Sequence, residues 1–425
     1  MVSKFWKNVN QTIFVQFTAV FLVAFAVRFF ILQLRGYSFL GVDETIYTHW
    51  GRNLAANFSS GMPGWDKFFM PGWPVVLSLI FHISTKIYFA RFCVVVFGSI
   101  NCALVFLIGN ELFDARTGLL AALILAFNPE HIFYSHYLQA EIGLEFIILV
   151  GTLSLCNYFR SPLSRKRILL GSFIFGFGLL FKHFTVIPFA SFWGTMVKYV
   201  KISRSVLVVS AIVFMTPIIL YSFNLFVQGK DYLMIINTPV KNVNEWSANR
   251  PKGLSFLKKG RLNVVGEKMH SVTGHGPMFF YRHVKKNFFN LWTPNTLTAT
   301  RLYRHHYSWA HYPRRISYIF AAGYTFVMVF GLLGLCYHEN TPFKLFAIGN
   351  LALLSALTLL NLVVSRYRVP FLFLLALFAA DALLHLKEIP SRARTNAYAT
   401  ASFAVMMVML LAIYIERLPR LGSWY

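Results

Sequence analysis

Acidic residues are scarce in this 425-residue sequence, which contains 15 of them against 40 lysines and arginines. Charged residues make up 13% of the chain and hydrophobic residues 57%, and the mean hydropathy is +0.57. Soluble domains of ordinary composition carry about 25% charged residues, roughly twice this fraction. The composition therefore excludes a soluble enzyme and predicts a polytopic membrane protein.

Cysteine is also rare, and no cleavable signal peptide is evident. Cys93, Cys102, Cys156 and Cys336 each lie in an apolar run without metal-ligand spacing, so we interpret them as small core residues and not as disulfides or ligands. The first apolar run is long enough to span a bilayer and lacks a small-residue cleavage site. We expect it to be an uncleaved first helix.

Apolar runs of the length that a bilayer core requires, about 20 residues, recur along the chain. They predict about eleven spanning helices, near residues 13–35, 87–112, 117–134, 137–159, 167–182, 184–200, 204–227, 313–337, 343–364, 367–386 and 396–415. The expected fold is an all-α transmembrane helix bundle, a single membrane domain over residues 1–425, with interfacial helices in its loops. Residues 74–83 are apolar but short, and we expect them to lie in the interface or to begin the next helix.

Basic residues concentrate in alternate loops, for example at Arg165, Lys166 and Arg167, while the turns between them are nearly bare. The positive-inside rule then places the amino terminus in the cytoplasm. Residues 36–86 become the first extracytoplasmic loop, and residues 228–312 become a second, long one. The protein is expected in the plasma membrane, which is the inner membrane if the source is bacterial.

The 228–312 loop is strongly basic, but loops of this length are translocated largely regardless of charge. Two of its pieces, 254–269 and 278–292, have the amphipathic, basic pattern of interfacial helices. Two roles stay open for the loop: contact with anionic lipid headgroups, and holding a phosphate-bearing lipid substrate. A basic patch outside the cytoplasm does not fit nucleic acid, which we exclude as a partner.

Two adjacent carboxylates, Asp43 and Glu44, open an amphipathic stretch from Gly41 to Phe58, just after the first predicted span. Carboxylates are costly near hydrocarbon, so this pair is a candidate functional site. The alternative is an ordinary helix start, because Asp is a good N-cap and acids are favoured in a first turn. The residues alone favour neither interpretation.

Basic and aromatic residues on the same predicted face are candidate phosphate contacts. Arg366 and Arg368 stand at a helix start, where they oppose the helix dipole and therefore suggest an external anion. A structural role, as snorkelling or interfacial side chains, is the alternative for this group. The candidate substrate- and phosphate-binding residues are Lys182, Arg366, Tyr367, Arg368, Lys67 and Arg52.

A divalent metal is not assigned. Glu141 and Glu145 lie one helical turn apart, after His131 and His136, and such a cluster could ligate a metal. The spacing is not a diagnostic ligand motif, so no metal residue is predicted and the cofactor stays unknown.

Four segments resemble, in order, the polyprenyl-phosphate-sugar-dependent membrane glycosyltransferases. These form the GT-C superfamily of protein O-mannosyltransferases and aminoarabinose transferases. The first segment is DETIYTHWGRNLAANF followed by MPGWPVVLSLI, and the second is ARFCVVVFGSINCALVFLIGNELFDARTGLLAALILAFNPEHIFYSHYLQAEIGLEF. The third is GFGLLFKHFTVIP, and the fourth is SRYRVPFLFLLAL. The aminoarabinose transferases carry a charged residue before the proline, where this sequence has Met70-Pro71, so their substrate and metal site do not transfer securely.

The resemblance implies an active site at the outer membrane face and transfer of a sugar from a polyprenyl-phosphate donor to a hydroxyl acceptor, with inversion. Carried over by position, Asp43 would be the general base, with Glu44 its neighbour in the motif. Lys182, Arg366 and Tyr367 would lie near the donor phosphate. The expected partners are the donor, a hydroxyl acceptor on lipid, glycan or protein, and membrane lipids.

Two rival functions stay open: a lipid-linked glycan transporter or flippase, and a glycan polymerase or ligase. A transporter predicts ionisable residues at mid-helix and broken helices around a cavity. Arg28 is the main buried charge that the sequence suggests, and the other charges gather at one face. This distribution favours an interfacial enzyme.

Overall fold

The computed structural model describes residues 11–35, 42–56, 70–160, 165–199, 203–227, 277–294, 313–356 and 365–417. Within these ranges the regular structure is helical and includes no strand, which confirms the all-α fold class. The α-helices are α1 Gln11–Arg35, α2 Val42–Ala56, α3 Gly72–Ile83, α4 Ile87–Leu112, α5 Ala115–Ala126, α6 Pro129–Tyr134, α7 Ala140–Arg160, α8 Arg165–Gly178, α9 Val186–Tyr199, α10 Arg204–Val227, α11 Pro277–Trp292, α12 Pro313–Tyr337, α13 Pro342–Ala356, α14 Leu372–Leu384, α15 Ile389–Thr395 and α16 Ala397–Arg417. Two 3₁₀ turns, His183–Thr185 and Ser365–Phe371, precede α9 and α14.

Six helical segments in the described ranges are long and apolar enough to cross a membrane: Gln11–Leu34, Ile87–Leu112, Arg204–Asn224, Tyr318–Tyr337, Ser365–Leu384 and Ala397–Glu416. Three shorter apolar helices, α3, α5 and α13, accompany them. The protein is thus an integral, multi-pass membrane protein, but the expected count of eleven spans is not confirmed.

The predicted span over 117–134 is wrong as a single helix. α5 ends at Ala126, and α6 is a separate short helix that starts at Pro129. The reason is local: a residue before proline avoids helical backbone, and Asn128 instead caps α6 by accepting a hydrogen bond from the His131 N–H (3.0 Å). The next helix, α7, begins at Ala140, three residues later than predicted.

Glycines allow the long helices to pack closely. A Cβ on Gly334 of α12 would overlap the backbone carbonyl of Phe378 in α14. A Cβ on Gly109 of α4 would collide with Gly118 of α5. Between spanning helices, association depends on such close backbone approach, because lipid tails are as apolar as leucine.

A buried polar relay connects α1 to the α5–α7 region. The Arg28 guanidinium lies 2.6 Å from His131 Nδ1 and donates to the Ala126 carbonyl (3.1 Å) and Ser135 Oγ (3.2 Å). Because a guanidinium can only donate, we assign Nδ1 as the acceptor, with the imidazole proton on Nε2. That nitrogen lies 2.7 Å from Glu145 Oε2. The relay therefore links a buried cation to a buried acid through a neutral ring.

The sequence suggested that Arg28 is the main buried charge, but the structure shows that it is one of several. The others with almost no exposed area are Glu44, Arg91, Glu130, Glu141, Glu145 and Arg368.

Candidate active site

The two acids of α2 have different surroundings. Asp43 and Glu44 both lie in the first turn of the helix, where carboxylates complement the helix dipole. The Asp43 side chain is 24% exposed, whereas that of Glu44 is fully buried. Successive helical residues point about 100° apart, so two neighbours can serve separate tasks.

Glu44 fixes α2 to the bundle. Its Oε1 lies 3.2 Å from Arg91 Nη2 and 3.3 Å from Arg91 Nε, and it also accepts from the Leu138 N–H (3.4 Å). These bonds hold the start of α2 against α4 and against the turn that precedes α7. The geometry is that of a structural ion pair.

Asp43 belongs to a charge cluster of four residues: Asp43, Arg366, Glu141 and Lys182. The Asp43 carboxylate is paired with Arg366 Nη1. Arg366 Nε lies 3.6 Å from Glu141 Oε1, and Lys182 Nζ lies 2.6 Å from the same oxygen. The cluster alternates acid and base. Asp43, Arg366 and Lys182 keep 16–24% of their side-chain area exposed, whereas Glu141 is buried.

Four separate elements supply the charge cluster. Asp43 comes from α2, Glu141 from the first turn of α7, Lys182 from the residue before the first 3₁₀ turn, and Arg366 from the second 3₁₀ turn. Asp43 and Arg366 are 323 positions apart in the chain. The cluster therefore exists only in the folded protein.

The turn that carries Lys182 is braced by α3. The Gly72 N–H donates to the Leu180 carbonyl (2.6 Å), and the ring of Phe181 lies where a Cβ on Gly72 would stand. Trp73, fully buried, packs against Phe181 and against Gly143 of α7. Glycine at 72 is needed for this close approach.

Two tyrosines border the charge cluster. Lys182 Nζ and Arg366 Cζ each lie 5.7 Å from the centroid of the Tyr367 ring, within the range of cation–π attraction. Burial, followed by the nearby charges of Glu141 and Asp43, raises the pKa of Tyr47 well above its usual value. Tyr47 therefore remains protonated at neutral pH.

His183 follows Lys182 directly and is not a proton donor at neutral pH. Burial, and then the charge of Lys182, lowers the pKa of His183 to about 4. Its ring contacts Phe184, which in turn packs on Tyr367.

Two of the sequence-predicted phosphate contacts, Arg368 and Arg52, are not part of the charge cluster. Arg368 is buried: its Nη2 lies 3.0 Å from Glu130 Oε2, its Nη1 donates to the Leu291 carbonyl (2.7 Å), and its guanidinium stacks at 3.6 Å on the Tyr324 ring. Arg52 donates to the Thr85 carbonyl (2.8 Å). Lys67 lies outside the described residues, as does most of the 228–312 loop.

The sequence did not identify two residues of this site, Glu141 and Tyr47, in the places that the structure gives them. Glu141 was considered only as a metal ligand, whereas the structure makes it the shared counter-ion of Lys182 and Arg366. Tyr47 was not singled out, although it lies one helical turn after Asp43, a spacing that puts two residues on one helix face. Within the described ranges, no group of three or more histidine, cysteine or acidic side chains converges to hold a metal.

The spanning helices and the short helices beside them define a class of all-α membrane fold, a bundle that is similar to a solved membrane enzyme. Two structures of an oligosaccharyltransferase from Archaeoglobus fulgidus show this fold. In its apo form that protein is similar over 96% of this chain, with a TM-score of 0.54 and 15% identity. The second structure is that of the oligosaccharyltransferase AglB in complex with an inhibitory peptide and a dolichol-phosphate. It is similar over 94% of this chain and 55% of its own, with a TM-score of 0.51 and 16% identity.

Within the class, residues 80–228 match the family model of dolichyl-phosphate-mannose-protein mannosyltransferase. No curated protein matches the sequence significantly. ArnT from Cupriavidus metallidurans, bound to undecaprenyl phosphate, is similar over 95% of this chain and 71% of its own, with 16% identity and a TM-score of 0.47, too low to compare folds. The family model bears out the stated resemblance over residues 80–228.

The chain spans only about half of the oligosaccharyltransferase that it resembles, 56% in the apo structure. At 15–16% identity, the similarity concerns the fold alone.

Proposed function

We propose that the protein is an inverting glycosyltransferase that moves a sugar from a polyprenyl-phosphate donor to a hydroxyl acceptor. The observation that carries the proposal is the charge cluster: one partly exposed carboxylate beside two cations, assembled from four elements at one end of a GT-C bundle. The family model and the dolichol-phosphate in the archaeal oligosaccharyltransferase support a lipid-phosphate donor.

Asp43 is the general base in this proposal. The acceptor oxygen attacks the anomeric carbon while its proton passes to Asp43, and the bond from that carbon to the phosphate oxygen breaks. A positioned carboxylate of this kind typically contributes about 10²–10⁴-fold to the rate. Glu44 cannot share the task in its present geometry, because it is fully buried against Arg91.

Lys182 and Arg366 stabilise the leaving phosphate. The electron pair of the broken bond goes to the phosphate oxygen. The lipid phosphate that leaves is a stable anion, so fixed cations suffice and no strong general acid is needed. Phosphate is a strong partner for guanidinium and ammonium groups. When it binds, it would draw Arg366 away from Asp43, so that donor binding itself frees the base.

Glu141 keeps the two cations in place between turnovers. Its Oε1 contacts both Lys182 and Arg366, and its Oε2 is buried without a hydrogen-bond partner in the described part of the chain. We place the whole site at the extracytoplasmic face, as the distribution of loop charges predicts.

The test compares Asp43→Asn with Asp114→Asn in cells that lack the chromosomal copy of this chain. The glycan lost on deletion is first identified by mass spectrometry, and each variant is scored by how fast it restores that glycan. We expect Asp43→Asn to lower the rate by about 10²–10⁴-fold at normal expression. Asp114 caps α5, where Asn caps equally well, so Asp114→Asn should be as active as wild type.

An assay of the purified protein separates the rival functions. Purified wild-type protein with the labelled polyprenyl-phosphate sugar should release free lipid phosphate and glycosylated acceptor. Movement of intact lipid without sugar transfer would indicate a flippase, and joining of preformed chains would indicate a polymerase or ligase. Wild-type levels of glycan from the Asp43→Asn variant would remove Asp43 from its proposed role.

A further inference from the structure

A second feature of the molecule, distant from the charge cluster, is a cavity of about 580 Å³ between α11, α12, α13 and α16. Its walls are largely aliphatic, with Met328, Leu335, Met406 and Ile413 among them. Methionine and leucine side chains adapt readily to a flexible hydrocarbon partner. The cavity thus has the chemistry of an acyl-chain site.

The cavity is elongated along the bundle. Tyr398 and Ile413 both line it and lie 15 residues apart on α16, which corresponds to about 22 Å at the helical rise per residue. Trp292 and Ser355, whose side chains are hydrogen-bonded to each other (3.2 Å), line one end. The other end of the cavity is lined by polar side chains, those of Asn340, Lys344 and Asn396.

The polar end lies opposite to the charge cluster. Lys344 lies in the first turn of α13, and its Nζ donates to the His338 carbonyl (2.6 Å). His338 Nδ1 lies 2.9 Å from Asp381, near the end of α14, whereas Arg366 precedes the start of α14. Thirteen residues of helix, about 20 Å, therefore separate the two ends.

The polar end also carries several basic side chains. Arg392 Nη1 donates to the Tyr337 carbonyl (3.3 Å), which brings α15 and its two arginines to this end of the cavity. Of the nearby acids, Glu388 is paired with Arg392 (2.7 Å), Asp381 contacts two histidines, and Glu339 adjoins Asn340. Lys344 and Arg394 then remain as cations that carboxylates do not neutralise in the described contacts.

We propose that this cavity binds one acyl chain of an anionic phospholipid from the leaflet opposite to the charge cluster, with the lipid phosphate at Lys344. An ammonium has three N–H donors. Two of them are used by the Cys336 (3.3 Å) and His338 carbonyls, which leaves one for a phosphate oxygen. Anionic headgroups are attracted to basic residues near the membrane surface, and an aliphatic cavity inside the bilayer is suited to hydrocarbon.

Charge and position argue against the glycosyl donor as the occupant. The donor phosphate is assigned to Lys182 and Arg366, at the other end of the bundle, and a headgroup there could not also contact Lys344. The lipid site therefore stands independently of the proposed transferase activity.

The experiment is native mass spectrometry of the full chain, ejected from nanodiscs of phosphatidylcholine and phosphatidylglycerol in a 3:1 mixture. We expect wild type to retain phosphatidylglycerol in preference to phosphatidylcholine. Lys344→Gln should reduce that preference about fivefold, the equivalent of the roughly 1 kcal/mol that one basic residue contributes near an anionic surface.

A matched pair of variants on α16 locates the site. Ser402 lines the cavity, so Ser402→Phe should fill it and abolish retention. Val405, on the same helix, is 60% exposed and does not line it, so Val405→Phe should retain lipid as wild type does. If Ser402→Phe does not fold, photoactivatable phosphatidylglycerol on wild type provides the test, and it should label α12 and α16 at the cavity.

Three results would overturn the proposal. They are retention of the two phospholipids in the proportion of the nanodisc, recovery of a polyprenyl phosphate as the retained lipid, and labelling outside the cavity walls.

Discussion

Neighbouring residues in this protein carry out different tasks because burial separates them. Asp43 keeps 24% of its side-chain area exposed beside Arg366, while Glu44 is enclosed with Arg91. Arg366 and Arg368 divide in the same way: the first joins the charge cluster, and the second contacts Glu130 and Tyr324. In each pair one charge is available for chemistry, and the other fixes the element that carries it.

Breaking the Glu44–Arg91 pair should therefore lower the stability of the protein more than a substitution of Asp43 does. Glu44→Gln removes the carboxylate that Arg91 contacts, and breaking a buried pair from one side costs about 3–5 kcal/mol. The double variant Glu44→Gln/Arg91→Met should recover part of that loss, because no buried guanidinium is left to be compensated. Thermal unfolding in detergent measures both, and a Glu44→Gln protein as stable as wild type would contradict the assignment.

Lys182 should affect donor binding. A hydrogen bond to a charged group contributes about 1.5–3 kcal/mol, so Lys182→Gln should raise the KM for the lipid-phosphate donor by about one to two factors of ten. Lys182→Arg should restore most of the affinity. Lys86, exposed at the start of α4 on the same end of the bundle, provides the control: Lys86→Gln should leave KM unchanged. An equal effect of both variants would indicate a nonspecific attraction of charge.

At the scale of the helices, local chain chemistry sets the ends and glycine sets the spacing. Asn128-Pro129 interrupts what hydropathy alone predicts as one span, and Pro71-Gly72 starts α3 against the Lys182 turn. The two 3₁₀ turns that carry or adjoin Lys182 and Arg366 stand at helix junctions. The candidate site is thus built from helix starts, where side chains can leave the packed bundle.

Gly334 offers a test of close packing between α12 and α14. A Cβ there meets the Phe378 backbone, so Gly334→Ala should lower the free energy of unfolding by about 1–3 kcal/mol, the usual cost of overpacking. A Cβ on Gly194 of α9 would meet no neighbouring atom within 4 Å in the described part of the chain, and Gly194→Ala should stabilise by about 0.5–1 kcal/mol through helix propensity. Denaturation of both variants in the same micelle measures the difference, and similar values would contradict the packing argument.

At the scale of the whole molecule, the bundle has two chemically different ends. One end has the charge cluster of Asp43, Arg366, Glu141 and Lys182. The other has the histidine pair on Asp381 and the polar end of the cavity. The proposed function requires the first end to face away from the cytoplasm.

Cysteine labelling tests this orientation. After replacement of the native cysteines by alanine, we expect Lys86→Cys to react with an impermeant maleimide in intact cells, because it lies at the end of the charge cluster. Lys387→Cys, which follows α14 at the other end, should react only after permeabilisation. The reverse pattern would place the charge cluster in the cytoplasm and refute the proposed face.

Much of the helical organisation could be predicted from the sequence. The segments at α1, α4, α10 and α12 are recognisable from their apolar runs alone, because a spanning helix satisfies its own backbone hydrogen bonds. Three of the four members of the charge cluster, Asp43, Lys182 and Arg366, were also recognisable, as was Tyr367 beside it. Their catalytic and phosphate-binding roles remain predictions that the variants above examine.

By itself the sequence determined that this chain is a multi-pass helical membrane protein with an acidic helix start and basic-aromatic segments, because these properties are local. Only the tertiary structure decided which charges meet: that Glu44 is enclosed with Arg91, that Arg368 is committed to Glu130, and that Glu141 serves both Lys182 and Arg366. The physical reason is that a buried charge requires a partner within a few ångströms, and in this fold the partners come from segments far apart in the chain.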